Sequence, residues 1–93
     1  MAVVFIIEQD DITREKYEGV RSQVAPDNRV PDGMILHLAG EVQGGGWRVV
    51  ELWESEEAQG KFLQAKLGPA FQKAGVTTAP KITSFPLHNK MER

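Results

Sequence analysis

The chain has few groups able to move a proton near neutral pH: two histidines, His37 and His88, and no cysteine. Imidazole titrates near pH 6.5, so a histidine that meets a phenol or an enol can serve as a general base. His37 is the sharper candidate, because Glu51 and Trp53 follow it across a glycine-rich turn. A carboxylate beside an imidazole can fix its orientation and steady its positive charge. His37 and Glu51 are therefore the candidate catalytic pair. The same residues have a plainer reading: His37 packed in an interface and bonded to Glu51 or backbone, with Glu51 in a salt bridge to a partner's Lys or Arg. Trp53, Tyr17, Phe62 and Leu36 are the residues expected to contact a ligand. Trp53 can wall an aromatic compound or be core, and Tyr17 reads as a core residue whose hydroxyl reaches the rim. His88 lies near the chain end and reads as idle.

Other chemistries find little support. Without cysteine there are no disulfides, thiolate nucleophiles or thiolate metal ligands. Two histidines this far apart lack ligand spacing, so no metal is expected. Gly44-Gly45-Gly46 precedes no helix and ends in no Lys-Ser/Thr pair, so it is a hairpin loop and no phosphate cradle. No cofactor is implied.

The elements that carry these residues can be read from pattern. Ala2–Glu8 is a continuous apolar, β-branched run, read as a strand buried on both faces. Thr13 can cap a helix over Arg14–Val24, with Tyr17, Val20 and Val24 on one stripe. Residues 25–33 collect turn formers. Met34–Val42 and Trp47–Trp53 form a hairpin. Its even-numbered set, Met34, Leu36, Leu38, Val50 and Leu52, is aliphatic and is expected to lie under the helices. Its odd-numbered set holds Ile35, His37, Glu51, Trp47, Val49 and Trp53, and is expected on the uncovered face. A three-residue loop would set Gln43 opposite Trp47, Ala39 opposite Glu51 and His37 opposite Trp53, leaving Glu51 diagonal to His37. Ser55 can cap a second helix. Gly68-Pro69 predicts a break before a short helix over Ala70–Ala74, closed by Gly75. Lys81–His88 reads as a final strand, at an edge because of Pro86. Residues 89–93 form a polar tail.

Strand, helix, strand, strand, helix, strand is the βαββαβ order of an α+β ferredoxin-like fold: a four-stranded antiparallel sheet with helices on one face. The 93 residues make one domain. So short a chain buries a limited share of its surface, and an apolar sheet face seldom stays in water, so a homodimer is expected. A formal net charge of -2 with no basic stripe argues against nucleic acid. No apolar run approaches the roughly 20 residues that span a bilayer, and Ala2–Ile7 is short and lacks the basic flank of a signal peptide. No membrane partner and a cytoplasmic location are expected.

With these motifs in place, the chain resembles the dimeric α/β-barrel superfamily, which includes antibiotic-biosynthesis-monooxygenase-like proteins. The likeness rests on Tyr17, on Gly33-Met34-Ile35-Leu36-His37-Leu38-Ala39-Gly40, on Trp47-Arg48-Val49-Val50-Glu51-Leu52-Trp53-Glu54-Ser55 and on Leu67-Gly68-Pro69-Ala70-Phe71. It implies two sheets pairing face to face into an α/β barrel. The cavity would lie between sheet and helices, or beside the dimer sheet. The implied function is that of a cofactor-independent monooxygenase acting on a small hydrophobic or aromatic compound. Isomerases, cyclases and proteins that only bind a ligand or themselves share the superfamily. The haem-degrading branch, with its Asn, Trp and helical His, does not fit: the second helix has neither His nor Trp, and Asn28 and Asn89 lie in a loop and the tail.

Overall fold

The computed structural model describes residues 1–93. Its elements are β1 (Val3–Gln9), α1 (Arg14–Val24), β2 (Met34–Glu41), β3 (Trp47–Trp53), α2 (Glu56–Phe62), a π-helical segment (Leu63–Leu67), α3 (Gly68–Ala74) and β4 (Lys81–Pro86). The four strands form one antiparallel sheet in the order β2-β3-β1-β4. This is the expected ferredoxin-like arrangement, with β2 and β4 at the edges, and Pro86 ends the edge strand β4.

The helices start where side chains satisfy their free amides. Thr13 accepts from the Lys16 amide and Ser55 from the Ala58 amide. Gly75, with φ 76°, closes α3 in the left-handed conformation. The expected break at Gly68-Pro69 does not occur. The helix runs on, but the preceding turn widens to a π turn in which the Gly68 amide reaches back to the Leu63 carbonyl. A widened turn accommodates a residue that cannot donate, so Pro69 is absorbed rather than ending the helix. The wide turn also re-aims side chains. Phe62 and Leu67, five residues apart, line the same cavity as Phe71, although a regular α-helix would turn such a pair well apart.

Two expectations about the hairpin are corrected. Its loop is five residues, with Glu41 opposite Trp47 and the Val42 amide bonded to the Gly46 carbonyl. The register therefore moves by two: His37 lies directly opposite Glu51, and Ala39 opposite Val49. Ile35 is passed over at a bulge, so Met34 pairs with Trp53. Shifting by two preserves the faces, but it replaces a diagonal His37–Glu51 pair with a direct one.

The assignment of faces is also reversed. The helices cover the face bearing His37, Glu51, Trp47, Val49 and Trp53. Trp53 is fully buried there, in a cluster with Val3, Phe5 and Met34 against which Ala58 and Phe62 pack. Gly33 lies at the seam: with φ 87°, it sits where a Cβ would come within 2.6 Å of the Ala58 Cβ. Met34, on the far side of the bulge, stays under the helices as expected, but the rest of the even set, Leu36, Leu38, Val50 and Leu52, faces away from them. One cross-strand row there reads Leu36, Leu52, Val4, Phe85 and the next reads Leu38, Val50, Ile6, Thr83. Leu36 is 45%, Leu38 56% and Phe85 46% exposed. The aliphatic character that marked this face as core is real, but no element of the same chain covers it.

Candidate active site

The site is assembled on the helix-covered face by β2, β3 and α1. Because His37 and Glu51 are cross-strand partners, their side chains leave the sheet together. His37 Nδ1 is 3.1 Å from Glu51 Oε2. The other carboxylate oxygen accepts from Trp53 Nε1–H at 3.0 Å, with Trp53 two residues on along the same strand and the same face. On the far side of the imidazole, Tyr17 Oη from α1 lies 2.7 Å from His37 Nε2. Trp53, Glu51, His37 and Tyr17 thus form one continuous chain of hydrogen bonds.

The donors fix the direction of that chain. Indole N–H can only donate, and Glu51 as a carboxylate can only accept. His37 then donates from Nδ1, which leaves Nε2 as the acceptor and makes Tyr17 its O–H donor. Burial first, then the Glu18 carboxylate, hold the Tyr17 hydroxyl above its ordinary range against the opposing pull of Arg21; Glu51 adds to the rise. Tyr17 is therefore a neutral phenol at physiological pH, as this polarity requires. Its ring stacks on His37 at 6.0 Å and packs on Trp47 at 5.0 Å between centroids, which limits its freedom to swing away.

Tyr17, His37 and Glu51 line a largely apolar cavity of about 190 Å³ between the sheet and the helices. Its walls come from β1 and β3 (Ile7, Gln9, Trp47, Val49), from α1 (Val20, Arg21, Val24), from the loop after α1 (Asn28, Val30, Pro31) and from the second helical run (Phe62, Leu67, Phe71). An apolar cavity of roughly 150 Å³ holds benzene. This one is sized for a substituted aromatic ring or a small fused pair.

Of the residues singled out from sequence, His37, Glu51, Tyr17 and Phe62 meet at this cavity. Trp53 does not reach it. It lies behind Glu51 as a hydrogen-bond donor and packs at a tilt on Phe62, with 5.5 Å between centroids. Leu36 is on the opposite face and contributes nothing to the cavity wall, since the side-chain alternation that places His37 inward points Leu36 outward. Gln9 and Trp47 are wall residues that the sequence reading does not assign to a site. Strand parity was the available signal, because Gln9 follows Phe5 and Ile7 on the inward face. No group of three or more His, Asp or Glu side chains is placed to hold a metal, and no helix is long and apolar enough to cross a membrane.

No family model and no curated protein matches the chain in sequence. Solved structures do match in shape. SnoaB, a cofactor-independent oxygenase from Streptomyces nogalater, superposes with a TM-score of 0.70 at 12% identity, over 99% of this chain and 98% of that one. A Deinococcus radiodurans protein, named as a candidate antibiotic biosynthesis monooxygenase, gives 0.62 at 20% identity, over 100% and 98%. A dimeric ferredoxin-like protein of unknown function from Thermobifida fusca gives 0.64 at 15% identity, over 94% and 92%. The chain therefore shares a ferredoxin-like fold with these structures.

Proposed function

We propose that this protein is a small homodimeric enzyme of the cofactor-independent monooxygenase type, acting on a hydroxylated aromatic or enolic compound held between the sheet and the helices. The observation that carries the reading is the polarised chain Glu51–His37–Tyr17 opening into an apolar cavity. A ligand hydroxyl that donates to Tyr17 Oη can pass its proton there as the tyrosine proton moves to His37 Nε2. Glu51 stabilises the imidazolium that results. The product is a phenolate or enolate in an apolar enclosure, the electron-rich form that reacts with dioxygen. For a phenol going to a quinone, one oxygen atom enters the ring. The other leaves as water with the ring hydrogen and the hydroxyl proton, and no external reductant is needed. SnoaB, described as a cofactor-independent oxygenase, lends support through shared fold only.

The homodimer is supported by the aliphatic rows of the uncovered face, where Leu36, Leu38 and Phe85 stand in solvent, and by the dimeric character of one structural neighbour. Pairing those faces would close the sheets into an α/β barrel and leave each cavity within its own subunit.

The test uses 1-naphthol as a probe under air. Its absorption reports ionisation on binding, an oxygen electrode reports consumption, and mass spectrometry reports the product. The expected result is a bound naphtholate at a pH where the free probe is neutral, lost in Tyr17→Phe and in His37→Gln. Binding of the neutral phenol with no ionisation in the wild type would overturn the enzyme reading and leave a ligand carrier. Ionisation without oxygen uptake by any of a panel of related phenols would replace oxygenation with isomerisation or cyclisation through the same anion.

A further inference from the structure

Two residues of the cavity wall carry polar atoms with nothing to bond to. Gln9 is 4% and Trp47 7% exposed, and Gln9 Oε1 and Trp47 Nε1 are both buried without a hydrogen-bond partner. A buried polar group left unpaired is costly, and native structures rarely keep two side by side. These two are neighbours by construction: Gln9 of β1 and Trp47 of β3 are cross-strand partners on the inward face. The orientation of the Gln9 amide is settled by its other end. Its Nε2 donates to the Thr78 carbonyl at 2.9 Å, and only the NH₂ end can do so. The atom left over is therefore an acceptor, while the indole offers only a donor.

From this pair we infer that Gln9 and Trp47 form a second polar subsite, which binds a hydroxyl group of the ligand. A hydroxyl can accept from the indole N–H and donate to the amide oxygen at once. A carbonyl or ether oxygen would satisfy Trp47 and leave Gln9 unpaired. An ammonium would satisfy Gln9 and oppose the indole hydrogen. Along β3, Trp47 stands four residues from Glu51, about 13 Å at strand spacing, with the Tyr17 ring between Trp47 and His37. The two subsites therefore sit toward opposite ends of the cavity. The substrate class is accordingly a fused aromatic diol with its hydroxyls on different rings, one ionised at Tyr17 and the other held un-ionised between Trp47 and Gln9. The second subsite rests on the proposed role of the cavity; only the ionisation of the first hydroxyl rests on the proton chain.

The experiment compares 1-naphthol with naphthalenediols by calorimetric titration into the wild type, Gln9→Leu and Trp47→Phe. The wild type is expected to favour a diol with hydroxyls on different rings by roughly tenfold, the yield of two neutral hydrogen bonds. The ratio of diol to 1-naphthol affinity, taken within each protein so that a general change in the cavity wall cancels, is expected to fall to near unity in either variant. The wild type alone supplies a second readout, independent of whether the variants fold. There are two indole N–H resonances, and the Trp53 proton is already bonded to Glu51. Diol binding is expected to move the Trp47 resonance downfield and 1-naphthol is not. An equal affinity for naphthol and all diols, a preference that survives both variants, or an unmoved Trp47 resonance would each overturn the subsite. Failure of the proton chain reads differently: the diol preference then persists while the bound naphthol stays neutral.

Discussion

The two faces of the sheet are built to opposite specifications. The face under the helices carries both tryptophans and nearly all the chemistry: Trp53 fully buried, Glu51 nearly so, and an unsatisfied donor and acceptor at Trp47 and Gln9. The outward face is two rows of aliphatic side chains, with a charged margin where Arg48 meets Glu8 at 3.1 Å and Lys81 lies opposite Glu8. The more uniformly apolar face is the one that its own chain leaves uncovered. Hydrophobicity says that a surface is to be removed from water; it does not say by what. A face destined for helices can hold a polar network, because loops and helix side chains can partner every atom of it. A face that the proposed dimer would set against a flat, two-fold related copy of itself would have no such variety of partners and is best kept plain.

Substitutions can break this contrast, and the largest effect is expected at its most buried point. Trp53→Ala removes the only fully buried large side chain and the donor to Glu51, and is expected to cost about 3–5 kcal/mol in denaturant unfolding. A loss below about 1 kcal/mol would mean that the helix-covered face is not the principal core. Glu51→Gln separates chemistry from packing. The amide oxygen can still accept from Trp53, but its NH₂ then confronts His37 Nδ1 and forces the other tautomer. Nε2 becomes a donor, and Tyr17 can no longer hand it a proton. Ionisation or turnover of a phenolic substrate is expected to fall roughly 10²–10³-fold, with stability lowered by only about 1 kcal/mol. On the outward face the expectation is inverted. Leu36→Glu combined with Leu38→Glu should weaken self-association at least tenfold, about 1.4 kcal/mol, by sedimentation, while the circular dichroism and probe binding of each subunit persist. Loss of probe binding with the dimer intact would show that the two faces are not separable.

The smallest effect is a pH dependence. The folded-state pKa of Tyr17 is raised above the value near 10 of an unfolded tyrosine. At lower pH the hydroxyl is protonated in both states and its contribution is whole. As pH rises past about 10 the unfolded chain ionises first, and stability is lost through the folded value. Tyr17→Phe should therefore flatten the decline in melting temperature above pH 10. Equal declines in both proteins would contradict a buried, neutral Tyr17.

Much of this was legible in order and little of it in space. The first strand, expected over Ala2–Glu8 and found at Val3–Gln9, the caps at Thr13 and Ser55 and the βαββαβ sequence of elements follow from local patterns whose physics is local. The pairing of His37 with Glu51 was close, but a miscounted loop set it on the diagonal. Glycine permits many turns, and three in a row leave loop length undetermined. The break at Pro69 was misread because a π turn is a compromise between proline's missing amide and the packing of Phe62, Leu67 and Phe71. Leu36, expected to contact a ligand, stands on the outward face, because alternation along a strand does not say which face the helices take.

From the sequence alone came the fold class, the parity that puts His37, Glu51 and Trp53 on one face, and the presence of a second apolar face needing cover. All three depend on residues near one another in the chain or on strict alternation. The tertiary structure alone decided which face the helices take, and with it the 2.7 Å approach of Tyr17 to His37 and the unpaired atoms of Gln9 and Trp47. Two faces of similar apolarity are nearly equivalent to a pattern. They are told apart only when the side chains of α1 and of the widened second helix are fitted against one of them, and that complementarity is a property of three dimensions.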